Sequence, residues 1–381
     1  AGIRRVTTTF LPGVASAHVG RTRGDVLFAS EDFARVAAFF DSHPDLPPTP
    51  LTRLRALARR LGLGDILVKD ETTRFGLNAF KPLGARFAVE QLRADGALAP
   101  GATLVCASEG NHGRAVAHTA RVLGYRARVF LAESVAAPRA DAIAGEGATV
   151  VRVAGTYDDA VRVAAEEAGR HGWTIVSDTS WTGYEHIPWL IMLGYTRMVD
   201  EMVTAMPEGW RPDAIVVPGG VGGLLAAVAT SSERHWGTRP QVVAVEPSSA
   251  ACLQSSARAG RPTAVPGPFE TMMGGLRCGE VSPLAFRALS PLVHAYIGID
   301  DAWAARAVRA LARPTDGDPT IAAGPSGAAA LAGLLAALED SAAGDVRAAL
   351  ALGPDSSVVV IASEGVTDPP LWHRIVEEES T

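Results

Sequence analysis

Cysteine is scarce in this chain. Cys106, Cys252 and Cys278 are too few for a disulfide scaffold, and their spacing is not that of metal ligands, so no metal site is expected. A basic excess is also missing: the formal net charge is −6, which argues against non-specific nucleic-acid binding, since that needs a basic face. No uninterrupted apolar stretch approaches the roughly 20 residues that a membrane span requires. Arg4 and Arg5 open the chain without the apolar run of a signal peptide behind them. There is no internal repeat and no low-complexity tract. These absences lead to the expectation of a cytoplasmic enzyme without nucleic-acid or membrane partners. What is present is a globular composition, 48% hydrophobic and 20% charged, over 381 residues. That length is too great for one ordinary core and predicts two domains or lobes.

Residues 1 to about 45 read as irregular apart from a short helix around Asp32–Phe40. The prolines of His43–Pro50 then impose an extended linker. Helical spacing follows over Leu51–Leu61, and Asp65–Asp70 reads as a strand. From there helices (Leu83–Gly96, Gly113–Leu123, Arg139–Glu146, Tyr157–Arg170) alternate with strands (Thr103–Ala107, Ala127–Leu131, Thr149–Val153, Thr174–Ser177). The second half repeats the logic. It has one long helix over Leu190–Met206, strands at Ala214–Val217, Gln241–Val245 and Val358–Ala362, and helices at Leu224–Ser232, Ala302–Ala312 and Ser326–Glu339. Strands and helices joined by short loops indicate parallel βαβ units with right-handed crossovers. The fold class is therefore α/β with two lobes, each an open, mostly parallel twisted sheet flanked by helices. A site is expected between them, at the carboxyl ends of strands.

Three segments carry chemistry. Lys81 follows the apolar run Leu77-Asn78-Ala79-Phe80 at a helix start. Burial and a helix N-terminus both disfavour an ammonium, so the residue is expected to tend toward the neutral amine that attacks a carbonyl. The same segment also fits a snorkelling lysine. Gly219-Gly220-Val221-Gly222-Gly223 lies between a buried strand and an apolar helix, where backbone N–H groups bind an anion closely. No Gly-Lys-Ser/Thr follows it and the GxGxxG order is lacking in the right place, so a phosphate monoester fits better than a nucleotide. A glycine-rich turn built for tight packing is the competing explanation. In Ser108-Glu109-Gly110-Asn111-His112-Gly113, Asn111 can hydrogen-bond a phenolate oxygen and Glu109 is a candidate base. His112 is more simply read as capping or packing.

Together these segments resemble the fold-type II pyridoxal 5′-phosphate (PLP) enzymes, the tryptophan-synthase-β-like family, and within it the diaminopropionate ammonia-lyase branch. The resemblance rests on Arg74-Phe75-Gly76-Leu77-Asn78-Ala79-Phe80-Lys81, Glu109-Gly110-Asn111-His112-Gly113-Arg114 and Asp178-Thr179-Ser180-Trp181-Thr182-Gly183-Tyr184. It continues through Gly220-Val221-Gly222, Val245-Glu246-Pro247, Ala323–Ala328 and Ser363–Asp368, in family order over nearly the whole chain.

The resemblance implies PLP as cofactor, held through Lys81 as the Schiff-base lysine. It places Phe80, Asn111, Gly219, Gly220, Val221, Gly222, Gly223, Glu246 and Ser363 around the cofactor. Asn111 would face the ring 3′-oxygen, the glycines the phosphate, and Ser363 the pyridine nitrogen. Asp178 and Glu109 would be the acids that serve opposite faces of a small amino-acid substrate, Glu109 standing where the family usually has aspartate. The implied reaction is α,β-elimination of ammonia from 2,3-diaminopropionate, giving pyruvate. The alternative is β-elimination or β-replacement on another substituted alanine, and a more distant one is a non-catalytic binder of PLP or an amino acid. The family also implies a homodimer, with residues 1–83 and 205–381 forming a large domain and 84–204 a smaller mobile one. Cys252 and Cys278 sit at family-like positions near the site mouth and are expected as thiols in a reducing cytosol.

Overall fold

The computed structural model describes residues 8–13, 27–237, 240–314, 316–340 and 346–378. Arg4, Arg5 and part of the stretch expected to be irregular lie outside them. The strands in chain order are β1 (Thr9–Pro12), β2 (Leu51–Arg53), β3 (Asp65–Asp70), β4 (Thr103–Ser108), β5 (Arg126–Ala132), β6 (Thr149–Val153), β7 (Thr174–Ile175), β8 (Ala214–Pro218), β9 (Gln241–Pro247), β10 (Val293–Ile299) and β11 (Ser357–Ala362). They form two sheets, one of seven strands in the order β1-β10-β9-β8-β11-β3-β2 and one of four in the order β6-β5-β4-β7. All pairings are parallel except the two at the edges of the larger sheet, where β1 runs against β10 and β2 against β3. The two-lobed α/β class read from the sequence is what the chain adopts.

Helices cover both faces, so the central strands are buried throughout. β8 and most of β11 are fully enclosed, which explains their unbroken valine and isoleucine runs. The sequence pattern misses three strands and misjudges two helices. Leu51–Arg53 is strand, and the helix expected over Leu51–Leu61 begins only at Arg55. Three residues are too few to show a period of two. The helix expected over Leu190–Met206 is two helices, His186–Tyr195 and Arg197–Ala205, that meet at Thr196. The Thr196 hydroxyl bonds back to Leu193 O at 2.7 Å, a backbone competitor of the kind that bends helices. β1 and β10 escape because an edge strand and its neighbour carry mixed residues rather than an apolar run.

Behind the segment that bears Lys81 lies a buried polar knot. Arg74 bonds Glu71 (2.6 Å) and Glu201 (2.7 Å), and Lys69 bonds Glu201 (2.6 Å) and the carbonyl of Thr49 (2.8 Å). Arg74 and Glu71 have no exposed side-chain surface, so these charges are stable only as a set. The knot joins β3, the linker at Thr49 and the helix Arg197–Ala205 beneath residues 71–81. Glu201→Ala leaves Lys69 and Arg74 sharing one carboxylate, and it should lower unfolding stability by about 3–5 kcal/mol. Urea titration reads this as a reduced midpoint. A loss below about 1 kcal/mol, the value of a surface pair, would contradict the role given to the knot.

Candidate active site

An open cleft of about 720 Å³ lies where β4, β8 and β11 end, lined by Lys81, Glu109, Asn111, Asp178, Ser363 and the start of the helix Gly223–Trp236 among others. Each wall has a local cause. At the end of β4 the Ser108 hydroxyl accepts the N–H groups of Gly110 and Gly113, both at 2.8 Å, which curls the turn and starts the helix Asn111–Leu123. A Cβ at Gly113 would stand 2.6 Å from Val129, so only glycine allows this closeness. Asp178 follows β7, and Tyr184 fixes its approach. The Tyr184 hydroxyl accepts from Ser177 N (3.0 Å) and donates to Ile175 O (2.8 Å), while its ring stacks on Trp181. Thus the Trp-Thr-Gly-Tyr part of the motif serves to hold the aspartate.

Lys81 precedes the helix Pro82–Ala94, with Pro82 at the first helical position where its missing N–H costs nothing. Its Nζ lies 2.5 Å from Asp178 Oδ2 and over the Phe80 ring, 4.9 Å from the ring centre. Here the sequence expectation needs correcting. Burial does lower the proton affinity of the Lys81 amine, but the Asp178 carboxylate outweighs it and holds Lys81 well above its ordinary range. Asp178 moves the other way. Burial alone would push it up, yet the Lys81 ammonium and the Tyr157 hydroxyl (3.0 Å) together hold it well below the usual carboxylate range. Glu109 has no such partner at close range. Burial lifts it to about 7 against the pull of Arg277 and Arg139. Two carboxylates in one cleft are thereby pushed apart in proton affinity, the arrangement that separates an acid from a base.

The remaining sequence-read residues divide. Phe80, Asn111, Gly220, Val221, Gly222, Gly223 and Ser363 all line the cleft. Gly219 and Glu246 do not, which corrects the expectation for both. The Gly219 N–H is spent on Val245 O at 2.7 Å, and a side chain there would strike Leu253. The Glu246 carboxylate accepts from the N–H groups of Leu253 (2.7 Å) and Gln254 (2.8 Å) and so caps the helix Cys252–Ala259. His112 packs, as its simpler reading has it, with Nε2 2.7 Å from Val176 O. A carbonyl only accepts, so Nε2 carries the proton and Nδ1 is left bare, without a hydrogen-bond partner and 3.9 Å from Asp178. Cys252 and Cys278 are free, buried thiols on either side of Gly220.

Two of the features that escaped the sequence reading lie at the Lys81–Asp178 pair. Tyr157, a bonding partner of Asp178, looked like an ordinary helix residue, and no local signal marked it. The other was in plain sight: the chain contains only two lysines, Lys69 and Lys81. Lys69 is sealed in the buried knot, so Lys81 brings the one lysine amine to the cleft.

These residues fit PLP. There is a lone lysine amine, hydroxyl and amide groups at strand ends, and a glycine-rich helix start. There Gly222, at φ 96°, turns the chain into a helix whose first N–H groups have no partner inside it. The chain belongs to the pyridoxal-phosphate-dependent enzymes, whose family model matches residues 44–364, and its fold is that of fold type II. It is 36% identical to the diaminopropionate ammonia-lyase of Escherichia coli K12 over 92% of this chain and 93% of that protein. The crystal structure of the E. coli diaminopropionate ammonia-lyase in complex with an aminoacrylate-PLP azomethine reaction intermediate superposes with a TM-score of 0.91, at 34% identity over 98% of this chain and 97% of that one. A biosynthetic L-threonine dehydratase of Mycobacterium tuberculosis is 28% identical, over 88% of this chain and 71% of the other.

Without the Asp178 charge, burial governs the Lys81 amine alone. In Asp178→Asn the pH dependence of PLP uptake by the cofactor-free protein should move down by about 1–3 pH units, because only the free amine attacks the aldehyde. An unmoved profile would mean that the ion pair does not set the amine's charge.

Proposed function

We propose that this enzyme eliminates ammonia from 2,3-diaminopropionate, giving pyruvate and, after hydrolysis of the released enamine, a second ammonia. The observation that carries this reading is the pair of carboxylates in one cleft with Lys81, one held anionic and the other lifted to about 7. It is supported by the likeness to diaminopropionate ammonia-lyases over nearly the whole chain.

PLP, when bound through Lys81, supplies the electron sink that makes a Cα proton removable. The residues of the chain then divide the work. The first-turn N–H groups at Gly222 and Gly223 would hold the phosphate, Asn111 would donate to the ring 3′-oxygen, Ser363 would serve the pyridine nitrogen, and Phe80 would pack beside the cofactor. Asp178 accepts the Cα proton of the L-enantiomer, and Tyr157 keeps one of its oxygens occupied so that the other receives the proton. Glu109 serves the D-enantiomer from the opposite face. Near neutrality Glu109 exchanges its proton readily, so it can keep the β-amine protonated, and the ammonium then leaves as ammonia with the Cβ–N bonding electrons. The residues 84–204, which carry the whole four-stranded sheet, form the smaller mobile domain, and 1–83 with 205–381 the larger. A homodimer in the cytoplasm completes the proposal, on the strength of the family resemblance.

A second reading, elimination or replacement on another β-substituted alanine, is favoured by one observation: Glu109 is a methylene longer than the aspartate usual in the family. Pyruvate release from a panel of β-substituted alanines in both enantiomers decides between them. The first reading expects the highest kcat/KM with diaminopropionate, and a greater value with a hydroxy- or thio-substituted alanine would favour the second.

The roles of the acids have their own signature. Asp178→Asn should abolish turnover of the L-enantiomer. With the D-enantiomer the wild-type rate should rise as the pH passes about 7, because only the ionised Glu109 accepts a proton, and this limb should vanish in Glu109→Gln. Full L-turnover in Asp178→Asn, or the same limb in Glu109→Gln, would contradict the assignment.

A further inference from the structure

Glu364 has no part in the mechanism above, yet it lines the cleft and is 1% exposed. One oxygen accepts from Asn111 Nδ2, and the other lies 2.9 Å from Arg139 Nη2. Both partners belong to helices that flank the four-stranded sheet, whereas Glu364 follows β11 of the seven-stranded one. Its backbone is tied elsewhere again. Glu364 bridges Ala79, two residues before Lys81, while Phe80 N bonds Ser363 O (3.2 Å) and Gly365 N bonds Asn78 O (2.8 Å). The segment bearing the amine and the helix bearing Asn111 therefore meet on this one residue. Arg139 reaches the same place from the far side and also holds the Glu109 carbonyl at 3.1 Å.

We propose that Glu364 is the positioning residue that aims Asn111 at the cofactor. The inference rests on the reading that Asn111 faces the ring 3′-oxygen. A carboxylate paired with Arg139 can only accept, so the Asn111 amide presents its nitrogen rather than its oxygen to that side. One N–H goes to Glu364 and the second is left for the ring oxygen. Without Glu364 the amide is free to turn and present its carbonyl, which would repel that oxygen. The Arg139 guanidinium holds the carboxylate in place, and the pair stitches the two lobes together behind the site.

The test uses the holoenzyme and reads the visible band of the bound cofactor against pH. An N–H donated to the 3′-oxygen stabilises that oxygen without its shared proton, so losing the bond moves the pH transition of the band upward. Glu364→Gln alone also leaves a buried Arg139 unpaired, which adds a charge effect of opposite sign and threatens folding. Glu364→Gln combined with Arg139→Gln removes one charge of each sign and leaves the net charge unchanged. In this double variant the transition should rise by about one pH unit, with about tenfold weaker PLP binding by equilibrium dialysis. Asn111→Ala should give the same shift, and adding it to the double variant should shift the band no further. If Asn111→Ala moves the transition and the double variant does not, Glu364 has no positioning role and the reading of Asn111 stands. If neither moves it, the reading of Asn111 falls and takes this inference with it. Additive shifts would mean that the two residues act independently, which also overturns the proposal. A lowered melting temperature with an unmoved band would mark Glu364 as merely structural.

Discussion

The ion pair between Lys81 and Asp178 is the constraint on which the site depends. Both groups are buried, and burial taken alone would neutralise both, lowering the affinity of the amine for its proton and raising that of the acid. Each keeps its charge because the other does. Tyr157 and the bare nitrogen of His112 are arranged around the aspartate, one as donor and one as a silent neighbour. It follows that the proton affinity of Asp178 is conditional. While the ammonium is beside it the carboxylate is too weak a base for a carbon acid. Once the amine is committed elsewhere, burial pushes its proton affinity back toward a useful value. The same desolvation that threatens the resting pair is what prepares the base.

Such a pair needs rigid support on both sides, and the fold supplies it in two places. Beneath Lys81 the knot of Lys69, Glu71, Arg74 and Glu201 fixes the connection out of β3. Across the cleft, Tyr184 fixes the end of β7 just before Asp178. The amine thus belongs to the chain leaving one sheet and the acid to the chain leaving the other. The distance between them is set by how the lobes sit, and Glu364, with Asn111 and Arg139, spans the same gap.

Much of this was legible in the sequence, for physical reasons. The buried central strands announced themselves because a sheet covered on both faces demands continuous apolar runs. Lys81, Asn111 and Gly220–Gly223 could be read because each lies where a helix begins, and such starts are marked by glycine, asparagine and proline. Gly219 and Glu246 were misassigned because adjacency in sequence does not separate a backbone amide facing the cleft from one spent on a neighbouring strand. Nor does it separate a carboxylate aimed at a ligand from one capping a helix. The charge on Lys81 was misjudged because its partner is 97 residues away, and no local pattern encodes a contact of that range. Tyr157 and Glu364 were missed for the same reason. The split at Thr196 depends on one hydroxyl that finds a backbone carbonyl.

The account stands or falls on which amine holds the cofactor. Borohydride reduction of the PLP-loaded enzyme, followed by peptide mass spectrometry, fixes the pyridoxyl group to the residue that carried it. The pyridoxyl mass is expected on the peptide containing Lys81, with Lys69 unmodified and no label retained in Lys81→Ala. Label on Lys69, or undiminished label in Lys81→Ala, would contradict it.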